Sequence, residues 1–504
     1  MELELIADAE VVAGLSRLKP LNACRDGRPR TQSVKIVWHD SPEHALLAGG
    51  QALSEQRGVW RLERVVPGTD TWLPAQPAPT VVEDPDQATL PSPLAPLAAF
   101  EGRRSISLHR FGGETVVLTA EKGTLRAVTS ERPAARIRLS GEQQAVRAAA
   151  TLIASALPVS VPLTSLAAEG IAMATGQTAS PRHEGAPVLP DMALNIAVAL
   201  SHILGHLLDV ILANAVHATR LDDEGTEAVH QMRVAVRRAR SAVSIFRPAL
   251  PSGDLDGVSA LLKDLGSRLG PTRDWDVFVD ETAPAILAAL PGDERLGRLV
   301  AAADKRRREC RKTLAAYLAG PDFRQFGISL AWFVEARFWH PPEPDGANGP
   351  DVANGPELAS GPDLPNRPEP FPALTEFTAQ VLQHRWKKLI SAGKGIDELD
   401  MPALHAVRLR AKRARYAAEM FASMHHGKSA HRYIRRLSAL QQRLGVMNDG
   451  AVATHLLAEL GGPAGRHAYA NGIVVGFLAA RAAEIRPRIV KAFERFRRQP
   501  TYWC

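Results

Sequence analysis

Two hydrophobic periods divide the chain. From Met1 to about Gly176, apolar and polar residues alternate in short runs bounded by Gly, Pro and Ser: ELELI, SVKIVWHD, GVWRLERVV, SISLHRF, ETVVLTA and ARIRLS. A period of two puts alternate side chains on one face, so these runs predict antiparallel strands. Gln143–Leu157 switches to helical spacing. Pro74–Pro96 is Pro-rich and predicts a long loop. After Pro181 the helical period takes over. Helices are predicted over Met192–Arg220, Leu296–Leu318, Leu374–Ile390, Tyr433–Leu444 and Tyr469–Arg497, the last despite Pro487. LDDEGTE reads as a polar loop, and Gly270-Pro271 as a helix stop with Arg273 and Asp274 as an ion pair in the turn beyond. Pro341–Pro372, with six acids and one arginine, is too rich in Gly and Pro to bury a core and reads as a disordered linker.

The helical part contains a repeat. AVHQMRVAVRRARSAVSIF (Ala228–Phe246) aligns with ALHAVRLRAKRARYAAEMF (Ala403–Phe421) at a constant offset of 175 (405 − 230). His230 meets His405, Arg233 meets Arg408, Arg237 meets Lys412, Arg238 meets Arg413, and Arg240 meets Arg415. The offset continues through Leu265, Leu269, Gly270 and Asp274, which meet Leu440, Leu444, Gly445 and Asp449. One supersecondary unit is used twice. At about 100° per residue, His230, Arg233, Arg237 and Arg240 share one stripe of a helix, as do His405, Arg408, Lys412 and Arg415. Met232, Val236, Ala239, Val243 and Phe246 form an adjoining apolar sector suited to a bundle core. No acid interrupts His230–Arg247. A solvated face usually mixes signs, and a duplicated ridge of one sign points to an anionic partner.

Charge placement agrees. The chain has 504 residues and net charge +7. Residues 1–190 hold 19 Lys and Arg against 20 Asp and Glu, leaving 42 against 34 (61 − 19 and 54 − 20) for the rest. Cationic heads recurring every three or four residues, about 4.5–6 Å apart along the axis, suit a linear polyanion with closely spaced phosphates. Each histidine is a candidate phosphate donor or a structural cap. Cys24, Cys310 and Cys504 show no CxxC and no disulfide framework, which implies a reducing compartment. MELELIADAE has no basic n-region and is not a secretory signal. Met192–Ala218 is long enough to span a bilayer, but Asp209 and three histidines favour a bundle helix.

The paired ridges, followed by LGPTRDWDVF and LGVMNDGAVA, resemble the CHAD domain, the conserved histidine α-helical domain, over roughly Asp191 to Trp503, ending in PTYW. The resemblance implies two four-helix bundles related by a pseudo-twofold axis, with basic helices lining a groove that binds inorganic polyphosphate. Binding residues are then His230, Arg233, Arg237, Arg240, His405, Arg408, Lys412 and Arg415, with Arg238, Arg413, Arg385 and Lys388 secondary.

The first half resembles the CYTH or triphosphate-tunnel family, in ELEL, WHDSPEHALLAGGQAL and SLHRFGGETVVLTAEKG. That family is a closed antiparallel β-barrel whose interior binds triphosphate and metal. Its opening Glu-x-Glu-x-Lys is met by Glu2 and Glu4, but Ile6 replaces the lysine. Arg136 and Arg138 stand where further acids are expected, and SEQRGVW lacks the alternating arginines of the next strand. If the domain were active, Glu2 and Glu4 would hold Mg²⁺ or Mn²⁺ and carry the chemistry.

The expected architecture is α+β and multidomain: a degenerate CYTH-like barrel at 1–180, a first CHAD bundle at 191–340, the linker at 341–372, and a second bundle at 373–503. The expected function is non-catalytic binding of inorganic polyphosphate, without a cofactor or membrane, on cytoplasmic polyphosphate granules. Two alternatives remain: a CYTH-type metal-dependent triphosphatase with the CHAD half capturing substrate, and a nucleic-acid-binding protein. No nucleophile–base pair, Walker A loop or metal cluster is visible in the CHAD-like half.

Overall fold

The computed structural model describes residues 1–65, 79–83, 90–91, 93–176, 187, 189, 195–250, 253–336, 373–425 and 428–503. The linker expected at 341–372 lies outside them.

Alternating residues produce eight strands: β1 (Glu2–Ile6), β2 (Arg25–Asp40), β3 (Gln51–Gln56), β4 (Val59–Arg64), β5 (Thr80–Val82), β6 (Ala95–Phe111), β7 (Glu114–Ala127) and β8 (Glu131–Gly141). They form one antiparallel sheet in the order β1-β8-β7-β6-β2-β3-β4-β5. The sheet curls into a half-barrel. β1 and β5 are its two edges, and no ladder joins them among the described residues. The long β6–β7 hairpin turns on Gly112 and Gly113, whose φ values of 62° and 92° suit a tight two-residue turn. β5 lies inside the Pro-rich stretch expected as loop, and β6 begins at its end; the three-residue edge strand pairs only with β4.

Three short helices, α1 (Ala9–Gly14), α2 (Lys19–Ala23) and α3 (Ala45–Ala48), lie between the early strands. α4 (Gln143–Ala156) packs on one sheet face, where Leu3, Leu5, Val116, Leu118, Ile137 and Leu139 are buried. α5 (Leu166–Thr175) packs on the other, against Trp38, Phe100 and Leu125.

The helical part begins with α6 (Ile196–Ala215), α7 (Asp223–Phe246), α8 (Gly253–Val277), α9 (Ala283–Ala289), α10 (Glu294–Ala319) and α11 (Pro321–Ala336), then continues with α12 (Leu374–Ala392), α13 (Met401–Met420), α14 (Lys428–Glu459) and α15 (Ala468–Arg497). α6, α7, α8 and α10 make one bundle, with α11 packed against α6, α8 and α10, and α12 to α15 make the other. Like meets like across the joint: α7 packs on α13, α8 on α14, and α10 on α15. That is the contact pattern of a pseudo-twofold axis. α6 is apolar enough to cross a membrane, yet 83% of its apolar window is buried within the protein.

Local expectations fail at two points. The LDDEGTE segment is mostly helix: Asp222 caps α7 by accepting from the Gly225 amide at 3.0 Å, so the helix starts inside the expected loop. α8 runs through Gly270-Pro271 rather than stopping there. Arg233 donates to the Gly270 carbonyl at 2.7 Å. Leu265, Leu269 and Trp275 are fully buried on either side. These interactions offset a proline defect that costs about 3 kcal/mol in an isolated helix. Beyond Val277 the backbone becomes π-helical over Phe278–Thr282.

Packing joins the parts firmly. α11 lies against α4, and there Trp332 donates to the Gln143 carbonyl at 2.9 Å while Arg147 sits over the Trp332 ring. Half-barrel and bundles share one apolar cluster. A second cluster straddles the joint between bundles: Trp275, Phe278, Leu299 and Cys310 pack with Leu456, Val474 and Leu478.

Candidate polyanion groove

The contact between α7 and α13 brings the two ridges together. His230, Arg233 and Arg237 of α7, Arg408 and Lys412 of α13, and Arg273 of α8 line one cavity of about 370 Å³. Its floor includes Val277, Phe278, Thr282, Val452, Ala453 and Leu456. The π-helical turn therefore supplies part of the floor, and the apolar cluster at the joint lies directly beneath the charges.

Two acids enter from equivalent places on α8 and α14. Asp274 Oδ1 is 3.3 Å from Arg233 Nη1. Asp449 faces Arg408, and burial lifts its carboxyl above the usual range while Arg408 pulls it down. Arg273 pairs with Glu281 at 3.1 Å, so the expected Arg273–Asp274 pair does not form. The cavity wall thus carries five Lys and Arg side chains against two carboxylates. Among the described residues, Arg237 and Lys412 have no carboxylate within ion-pair distance, and Arg237 Nε is buried without a hydrogen-bond partner. Burial, then Arg237, Arg408, Arg233 and Arg415, bring the Lys412 ammonium down to about 7. Burial and Arg273 also hold His230 below the usual imidazole range.

The remaining ridge residues lie elsewhere. Arg240 and His405 are exposed and do not line the cavity. Arg415 sits beside Lys412 but pairs with Glu419 at 3.3 Å. Glu419 also accepts from Arg238 at 3.0 Å, so one carboxylate clasps α7 to α13. Arg413 and Arg385 form a separate cationic group with Arg410, and Lys388 is exposed on α12. Lys305–Arg308 is mostly neutralised: Arg306 by Glu309 and Glu459, Arg307 by Asp280 and Asp304, and Arg308 by Asp304. Sequence reasoning missed Arg273 and the contribution of Asp449. The signal was present in the motif adjoining each ridge, where Asp274 aligns with Asp449.

On the half-barrel, Glu2 and Glu4 share the face opposite Leu3 and Leu5, and β8 lies beside them with Glu4 opposite Arg138. Arg138 pairs with Glu2 at 3.0 Å and with Glu4 at 3.2 Å. Arg136, almost fully buried, reaches Glu4 at 3.2 Å and Glu169 of α5 at 2.6 Å. Two guanidinium groups occupy the space next to the carboxylates that Mg²⁺ or Mn²⁺ would need, and no group of three or more His, Cys, Asp or Glu suited to a metal occurs among the described residues. The donor set does not fit a divalent cation.

These features define a protein whose helical half folds a duplicated basic ridge into one groove. The CHAD domain model matches residues 202–458, and the chain belongs to the CHAD domain family. It is similar to the crystal structure of the CHAD domain from the plant Ricinus communis, at 28% identity and TM-score 0.50, covering 64% of this chain and 99% of that one. PptA from Streptomyces chartreusis matches at 16% identity and TM-score 0.39, covering 59% of this chain and 99% of that one. The comparison with curated proteins found no match.

Proposed function

We propose that the protein binds inorganic polyphosphate in the groove between the two bundles, without catalysis, and thereby associates with polyphosphate granules in the cytoplasm. The observation that carries this reading is the convergence of cations from both repeats on one cavity with too few acids to neutralise them. Like charges packed on low-dielectric walls attract a polyanion strongly. Guanidinium groups add bidentate phosphate contacts. CHAD membership supports the choice of polyphosphate among polyanions, as does a groove lining in which, among the described residues, Phe278 is the one Phe, Tyr or Trp, since single-stranded nucleic acid is usually held by base stacking.

The test is a titration of long-chain polyphosphate in competition with DNA and RNA at physiological salt. Arg237→Gln/Lys412→Gln removes the two groove cations that lack ion pairs. At about 1.5–3 kcal/mol per charge-assisted contact, the loss should be a hundredfold or more. Arg17→Gln/Lys19→Gln, on the half-barrel, removes the same charge and should cost little. Equal losses in the two variants, or nucleic acid displacing polyphosphate at matched phosphate concentration, would overturn the reading.

A further inference from the structure

A second basic cleft lies away from the groove, between α14 and α15. Arg435, Arg436 and Arg443 of α14 face Arg488, Lys491 and Arg495 of α15 across a cavity of about 480 Å³. Ala439 and Ala492 complete its lining, and no carboxylate contributes to it. The spacing is regular. Arg435, Ala439 and Arg443 fall four residues apart on one helix; Arg488, Lys491 and Arg495 fall three and four apart on the other. Each row presents a cation about every 4.5–6 Å, or about 12 Å where alanine intervenes.

The acids of this region reach only one cleft cation, Arg488. Glu484 pairs with Arg488 at 3.1 Å, and Glu494 pairs with Arg497 and Arg498. Among the described residues, Arg435, Lys491 and Arg495 have no carboxylate within ion-pair distance. Arg436 and Arg443 are half-buried and hold their places through the Gln499 side chain at 3.3 Å and the Ala439 carbonyl at 2.8 Å. Two cations are thus pre-positioned, and four are exposed around them.

The repeat shows that the fold does not require these charges. At the offset of 175 (435 − 175 = 260), the equivalent positions in the first bundle are Ala260, Leu261, Arg268, Thr313, Ala316 and Gly320. The same helix pair packs there with one cation in place of six. In the second bundle five more cations crowd together, at an electrostatic cost that the packing does not explain.

We propose that the α14–α15 cleft is a second phosphate-binding site, which takes a further segment of linear inorganic polyphosphate. The choice of ligand rests on the reading of the groove given above. The two sites share α14: Arg443 precedes Asp449 of the groove by six residues, about 9 Å of helix rise. Six residues also turn the helix so that Arg443 lies about 120° round it from Asp449, and a polyanion that leaves the groove and winds a third of the way round α14 reaches the cleft, so the second bundle holds long chains more tightly than short ones.

The test uses the full chain and tripolyphosphate in calorimetric titrations. The wild type should bind two equivalents. The cleft variant Arg435→Gln/Arg488→Gln/Lys491→Gln/Arg495→Gln should bind one, at unchanged groove affinity, with affinity for long-chain polyphosphate reduced tenfold or more. A control, Arg17→Gln/Lys19→Gln/Arg28→Gln/Arg30→Gln, removes equal charge from the half-barrel and should keep both sites. All replaced side chains are exposed, and an unchanged melting curve qualifies each variant. One equivalent in the wild type, lost in Arg237→Gln/Lys412→Gln and kept in the cleft variant, overturns the second site while leaving the groove standing. Two equivalents reduced to one by the cleft variant but untouched by the groove variant supports the cleft and overturns the groove. Equal losses in cleft variant and control overturn the cleft as a local site.

Discussion

Lys412 is the residue whose charge state the groove contests most. Burial and four surrounding arginines bring its ammonium to about 7, against about 10.4 for an ordinary lysine. Below about pH 7 it is charged in the folded chain, where it sits unfavourably among arginines. Between 7 and the unfolded value the folded chain binds fewer protons than the unfolded one. This group therefore makes the unliganded protein more stable as pH rises through that window. Polyphosphate bound as proposed should reverse the preference, because a bound anion favours the ammonium. Binding near pH 8 should take up a proton, visible as a dependence of the calorimetric heat on buffer ionisation enthalpy. Affinity should fall as pH rises from 6 to 9. Lys412→Met should flatten both trends, and a proton uptake that survives this change would assign the effect to another group.

Individual helices show where the amino-acid pattern was readable and where it was not. The ridge helices α7 and α13 were legible because their cations recur on one stripe and the stripe occurs twice. Glu419 was not legible as a clasp, because its link to Arg238 spans 181 residues and depends on how α7 crosses α13. Pro271 misled for a similar reason: the interactions that carry α8 through it come from Arg233 on another helix. The six cleft cations are scattered over 61 residues (435–495) and form a cluster only once α14 and α15 lie side by side. The end of α12 shows the same dependence on a distant element. Gly393 has an ordinary φ of −95°, so a larger residue is allowed by the backbone. Its missing Cβ, however, is where the fully buried Phe493 ring of α15 packs. Gly393→Ala should lower stability by about 1–3 kcal/mol, since that ring has nowhere to move. A chemical denaturation midpoint equal to wild type would show that the α12–α15 contact is loose.

At the scale of the whole molecule, the two halves of the chain differed in legibility. Period-two runs revealed six of the strands. The curl of the sheet into a half-barrel depends on pairing between distant strands, which alternation does not encode. The ion pairs of Glu2 and Glu4 with Arg136 and Arg138 likewise required β1 and β8 to be adjacent. The bundles were readable because duplication exposes what each copy must keep. Duplication also brings a conflict: the joint between the bundles has cations on its surface and an apolar cluster underneath. The ridges repel across the joint, and the cluster of Trp275, Phe278 and Leu456 holds it closed.

Cys310 lies within that cluster, and burial pushes its thiol up, away from the reactive thiolate. With about 8% of its surface exposed, it meets a thiol reagent mainly when the bundles part, so its modification rate is a clock for separation of the two halves. In a Cys24→Ser/Cys504→Ser background, labelling should be slow and should quicken at low ionic strength, where the ridges repel more strongly. Polyphosphate should slow it severalfold by bridging the ridges. A rate equal to that of a free thiol, indifferent to salt and ligand, would mean that the halves open independently of the charge between them. If the clock runs as expected, the ligand acts as a fastener: the protein recognises a polyanion by letting it complete its own interior.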